Sequence, residues 1–106
     1  MKQLIKGLIV ALALASTSAH ADWHSGKVSA FKIGYDGNSV MFNLSGLSRT
    51  NCTCYAAWPS DLCLNPSHLG YKVEIAMLMS ARARDTDIYV NIDETTCFVL
   101  AMYEVG

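Results

Sequence analysis

Apolar and polar side chains divide this chain into one unbroken apolar run, several stretches of strict alternation and one stretch with helical spacing. The unbroken run, residues 8–15, follows Lys2 and Lys6 and is followed by Ala19-His20-Ala21. A positive start, a short apolar centre and a small-x-small end predict a secretory leader, cut so that the mature chain begins at Asp22. The run is well short of the ~20 apolar residues that span a bilayer, and no later run is longer. The organisation read from this is a cleaved signal over 1–21 and one domain over 22–106.

Alternation begins at residues 26–37, where Val28 and Ala30 face one way and, after a shift at Phe31, Ile33 and Tyr35 continue the same face. Asp36-Gly37-Asn38 is a turn signal, and residues 39–46 follow with Val40, Phe42 and Leu44 on one side. Two alternating runs about such a turn predict a β-hairpin. Residues 86–93, with Ile88, Val90 and Ile92 on one face, and residues 97–105 predict two more strands. Between the pairs, Asn65-Pro66-Ser67 reads as a helix start, with Asn65 or Ser67 as cap and the helix running over about 69–84.

The predicted helix carries more apolar surface than one sheet can cover. Glu74, Ala81 and Asp85 mark a narrow polar wedge, while Val73, Ile75, Ala76, Met77, Leu78 and Met79 occupy most of the remaining circumference. The excess, centred on Ile75, Met77, Leu78 and Met79, calls for a second surface. That surface is an insertion of the same chain or, at this length, another subunit; exposed methionine and alanine are the ordinary alternative. Arg82 and Arg84 end the helix, where cations suit its dipole.

Composition narrows the class. Without the leader about 85 residues remain, enough for one domain with a modest core. The formal charge of −1 becomes −3 once Lys2 and Lys6 are removed. A mildly acidic domain with no basic stripe fits neither nucleic acid nor an anionic membrane surface.

Four cysteines, Cys52, Cys54, Cys63 and Cys97, all lie in the mature part. An even count in a small exported domain predicts disulfides. Cys52 and Cys54 are two residues apart and poorly placed to join each other. One short bridge from Cys63 to Cys52 or Cys54 is expected, and one long bridge from the remaining cysteine to Cys97. A thiolate–imidazole metal site with His68 is the rival, but the paired Cys-x-x-Cys spacing is absent and an oxidising compartment competes for the thiolates. No metal or other cofactor is expected.

The elements in order are strand, strand, cross-linked loop with room for another short strand, helix, strand, strand. This is a mainly β chain with one helix (α+β), predicted to form a small OB-like β-barrel. A mixed α+β sandwich is the second choice.

An exported N-terminus, the start W-H-S-G-K-V-S-A-F, a hairpin with a mid-chain helix, the strand I-Y-V-N-I-D-E after that helix and a late cysteine together resemble the B subunits of subtilase cytotoxin and related pertussis-like toxins. The likeness follows the order of elements over most of the mature chain, with close residue matching in short pieces. It implies an OB-fold, assembly into a ring such as a pentamer, a cell-surface glycan as ligand and a catalytic A-type subunit as partner. It also implies that Ser25, in Ser25-Gly26-Lys27-Val28, stands where the family's sugar-binding serine does. A tyrosine on the post-helix strand contributes in that family. Val90 aligns with it here, and Tyr89 is expected on the opposite face.

Other chemistry is sparse. Ser25, His68 and Asp93 could form a nucleophile-base-acid trio, but no nucleophile elbow is present. Asp93 and Glu94 are adjacent at a strand end, face opposite ways and read as solvated turn residues. Tyr55 and Trp58, beside Pro59 on the cross-linked loop, suit stacking on a sugar or peptide, with burial as core the ordinary alternative. Trp23 is weighed the same way. Ser25, Tyr55, Trp58 and Tyr89 are therefore the candidate ligand residues. The chain reads as a non-enzymatic secreted or periplasmic bacterial binding protein, against the alternative of a monomeric periplasmic accessory protein without a small ligand.

Overall fold

The computed structural model describes residues 21–104, so the predicted leader, apart from Ala21, lies outside the described residues. The elements are β1 (Ala21–Gly26), β2 (Val28–Ile33), β3 (Val40–Leu44), β4 (Leu62–Cys63), α1 (Tyr71–Arg84), β5 (Ile88–Asp93) and β6 (Val99–Glu104). The fold is mainly β with one helix, arranged as two three-stranded antiparallel sheets ordered β1-β5-β6 and β2-β3-β4. The sheets do not form one continuous hydrogen-bonded barrel. They are linked at Lys27, where the chain passes from one sheet to the other, and by a single parallel bridge between Cys63 and Phe98. At the crossing, a Cβ on Gly26 would lie 2.7 Å from the Ser45 carbonyl oxygen, so the close approach of the two backbones requires glycine.

The core lies between the sheets. Val28, Val40, Phe42 and Leu44 meet Ile88, Val90, Ile92 and Val99, with Leu62, Leu64, Leu78 and Ala81 completing it. The inward rows of β3 and β5 are those the alternation predicts; β5 has a single buried face, whereas β3 also buries Met41 on its other face, under the cross-linked loop. The second half of β2 differs. Its register against β3 shifts between Val28 and Ala30, which sets Phe31 opposite Phe42 and against the core; Ile33, on the same face at the strand end, and Tyr35 beyond it are exposed. The turn at Asp36-Gly37 is as predicted, with Gly37 at φ +71°. β1 is absent from the sequence expectation. None of its side chains is fully buried, so it leaves no apolar period, and backbone pairing along the whole of β5 defines it.

The helix begins later than predicted and presents a different side. The Asn65 side chain accepts the Ser67 amide, and the Asn65 and His68 carbonyls accept the His68 and Tyr71 amides. These turns carry the chain to Gly70, and α1 starts at Tyr71 without a side-chain cap. It ends in a Schellman-type turn, with Asp85 left-handed at φ 55° and Thr86 N–H donating to the Ala81 carbonyl. Two of the three residues read as a polar wedge lie on the buried side: Ala81 is fully buried and Glu74 half-buried, while Asp85, past the helix end, is exposed. The small Ala81 side chain suits the close packing of α1 on β2 and β6.

This corrects the expected subunit-facing set. Leu78 is fully buried, and Ile75 and Met77 pack against the core of their own chain. Only Met79 of the four points outward, 55% exposed, in company with Leu69 and Val73.

Both disulfides form, Cys52–Cys97 and Cys54–Cys63, and no cysteine is free. Between the two arrangements open to the sequence, the backbone decides. Thr53 and Cys54 N–H groups both donate to the Thr96 carbonyl, which lays the start of the loop beside Cys97. Two disulfides in so small a domain fit an extracellular or periplasmic location. Among the described residues no helix is long and apolar enough to cross a membrane.

Candidate functional site

The four candidate ligand residues fall into two groups on different sheets. Ser25 is directly opposite Tyr89 on β5, and Tyr89 is directly opposite Tyr103 on β6. Directly opposed residues of antiparallel strands share a face. Tyr89 and Val90 face opposite ways, as expected, but it is Tyr89 that shares the face of Ser25, while Val90 turns inward, fully buried and opposite His24.

The outer face of β1-β5-β6 is consequently aromatic. The Tyr89 and Tyr103 rings stack at 4.9 Å and 7°, and the edge of Trp23 meets Tyr103 at 5.4 Å. Trp23 and Tyr103 are nearly half exposed, and Ser25 is exposed beside them. Asn91 lies opposite Trp23 in the next row of this face, and its Oδ1 is buried without a hydrogen-bond partner. Buried polar atoms rarely stay unpartnered, which marks this oxygen as an unused acceptor within an aromatic surface.

The second group sits where the cross-linked loop covers the outer face of β3. Trp58 lies 5.1 Å from the Tyr55 ring and 5.5 Å from the Tyr35 ring, and the Lys32 ammonium stands 5.1 Å from the Trp58 ring centre. Lys32 donates to the buried Asp61 carboxylate at 2.9 Å, and the Asn43 amide donates to its other oxygen. Tyr55 crosses Gly34, where a Cβ would fall 2.8 Å from the ring, and its hydroxyl accepts the Tyr35 amide at 2.6 Å. Tyr55 and Trp58 are half-buried, between the stacking surface and the core residue that the sequence allowed. Tyr35, 84% exposed, is the accessible ring of the group.

A third cluster joins the N-terminal strand to the loops. His24 Nε2 lies 2.8 Å from Glu94 Oε2, while Arg49 donates to Glu94 Oε1 at 2.6 Å and to its carbonyl at 2.9 Å. Burial pushes the Glu94 carboxyl up, but the hydrogen bonds and charges of His24 and Arg49 outweigh it and hold it below its ordinary value. Glu94 is thus an ion-pair centre and not the solvated turn residue the sequence suggested. Asp93 does serve the turn, accepting the amides of Thr95 and Thr96. His68 is engaged with Glu74 at 3.3 Å and Asp93 with its own turn, and among the described residues no hydrogen bond joins Ser25, His68 and Asp93.

A shallow groove of about 390 Å³, lined by Ser29, Ser45, Ser48, Arg49 and Ser60 among others, runs beside the β2–β3 pair. Sequence reasoning assigned Tyr103, Tyr35, Lys32 and Arg49 to no site and took Glu94 for a turn residue. Strand register, loop closure and ion pairing recruit them, and no local motif marks those relations. No family model, curated protein or solved structure significantly matches this chain.

Proposed function

We propose that this chain is a non-enzymatic exported binding protein, similar in role to a toxin B subunit, and that it recognises glycans on the outer face of β1-β5-β6. The observation carrying this reading is the register Ser25-Tyr89-Tyr103, with Trp23 against Tyr103. A sugar ring has apolar C–H faces and a polar rim. The half-exposed Trp23 and Tyr103 rings beside the exposed Ser25 hydroxyl match both parts.

The same reading takes the two sheets as halves of an OB-like barrel. The chain passes between them at Lys27, and β4 meets the start of β6 in parallel through Cys63 and Phe98. Assembly into a ring would use the outward side of α1, around Leu69, Val73 and Met79, and leave the buried Leu78 side untouched. A catalytic A-type subunit is the partner that such a ring would carry.

A glycan array with the exported protein tests recognition, with Tyr103→Ala and Ser25→Ala as controls. Binding is expected to fall at least tenfold in Tyr103→Ala. Binding that survives both substitutions would move the site off this face. Light scattering after size exclusion tests assembly, and a strictly monomeric protein would remove the ring.

A further inference from the structure

We propose that the mature N-terminus, Asp22-Trp23-His24, is a binding site for copper(II) or nickel(II). The proposal rests on the reading that export cuts the chain between Ala21 and Asp22, which frees the Asp22 α-amine. It is independent of glycan recognition.

The argument is one of spacing. A histidine in the third position from a free amine offers four nitrogens in sequence: the amine, the Trp23 and His24 amide nitrogens, and the imidazole Nδ1. Neighbouring donors close two five-membered chelate rings and one six-membered ring, which fit a single square plane. At the second position the imidazole would cut this set short, and at the fourth it would require an additional amide in the chelate. Square-planar nitrogen donors select copper(II) or nickel(II), whereas zinc favours a tetrahedral set.

The tertiary structure supports the required tautomer. Glu94 Oε2 meets His24 at Nε2, 2.8 Å away, so Nδ1, on the backbone side of the ring, is the nitrogen left for a metal. Arg49 holds Glu94 in place. A carboxylate on the outer imidazole nitrogen orients a ligating histidine and makes it a stronger donor. Donor atoms of Asp22, His24 and Glu94 lie within 4.8 Å of one another, so the His24 ring already stands between two carboxylates.

The site also requires movement. β1 has β5 on only one side within its sheet, and the Trp23 amide donates to the Asp22 carboxylate at 2.9 Å. Successive strand amides point in opposite directions, so a metal that takes both in one plane must lift the backbone of residues 22–24 from the edge of β5 while the His24 ring keeps its contact with Glu94. Capture releases both amide protons to solvent, and also the amine proton where present. No electron is transferred.

The test uses the exported protein, with its terminus established by intact mass, titrated with copper(II) against a weak competing chelator. Expected are one copper per chain and the visible absorption of a square-planar four-nitrogen site. A variant with one extra alanine before Asp22 keeps every side chain but moves histidine to the fourth position. It is expected to lose that absorption, as is His24→Ala. Glu94→Gln is expected to weaken binding about tenfold. A protein that starts at Asp22 and takes no copper, or an extended variant that binds equally well, would overturn the site. A different terminus would overturn the cleavage reading, and with it the site in the exported protein.

Discussion

Among the described residues, Asp61 is the one polar or charged residue in the buried set. It is a fully buried carboxylate, and Lys32 and Asn43 supply its partners from the neighbouring strands. Removing one partner of a buried pair leaves an uncompensated charge, which costs about 3 kcal/mol at the lower end of the usual range. Lys32 is partly exposed, so that lower end applies. Lys32→Met is therefore expected to lose about 3 kcal/mol in urea unfolding, and Lys32→Met with Asp61→Asn to recover much of it. A single variant as stable as the parent would show that the pair is not structural. Asp36 gives a complementary case at the surface. Backbone hydrogen bonds from Ser39 and Asn38, and then the Ser39 hydroxyl, hold its carboxyl below the ordinary value of 3.8. A carboxyl with a depressed folded value contributes fully above the ordinary value, and the contribution is lost as pH falls through the folded one. NMR titration of Asp36 is expected to give a midpoint below 3.8, with Asn38 and Ser39 amide protection lost over the same interval.

α1 shows how an element can be recognised correctly and oriented wrongly. Its length and composition make a helix clear, yet apolar residues surround so much of it that no stripe identifies the docked side. Packing resolves this by accepting the small Ala81 and the partly paired Glu74 on the inner side. Leu78→Ala is accordingly expected to cost about 3 kcal/mol by leaving a cavity in the core. Val73→Ala and Met79→Ala, at positions 63% and 55% exposed, are expected to stay within about 0.5 kcal/mol in the monomer. Chemical denaturation of the three variants checks the orientation, and equal losses would refute it. β1 is the opposite case, an element with no apolar signature, positioned by hydrogen bonding to β5 and by the His24–Glu94 contact.

Across the molecule, the two disulfides act over different spans. Cys52–Cys97 joins positions 45 residues apart and ties the cross-linked loop to the start of β6, whereas Cys54–Cys63 spans 9 within the loop. Chain-entropy estimates give ~4 kcal/mol for the long bridge and ~3 kcal/mol for the short one. Replacing both cysteines of a pair by alanine should therefore destabilise the protein more for Cys52 and Cys97 than for Cys54 and Cys63. Thermal unfolding of the two double variants measures the order, and the reverse order would mean that the loop, rather than the long closure, carries the stability. Loss of the short bridge should instead disturb Trp58 and its neighbours, since Cys54 and Cys63 flank that segment of the loop.

By itself the sequence determined the types of β2, β3, α1, β5 and β6, the inward rows of β3 and β5, the turn at Gly37 and the existence of two disulfides. Each follows from local periodicity, backbone freedom or cysteine chemistry, which operate over a few residues or on counts. Only the tertiary structure decided the register that sets Ser25 opposite Tyr89 and Tyr103, the docked side of α1, the choice of Cys52 as partner for Cys97, and the meeting of Arg49, His24 and Glu94. Those relations join residues far apart in the chain. Their energies depend on which surfaces exclude water together, and no local pattern carries that information.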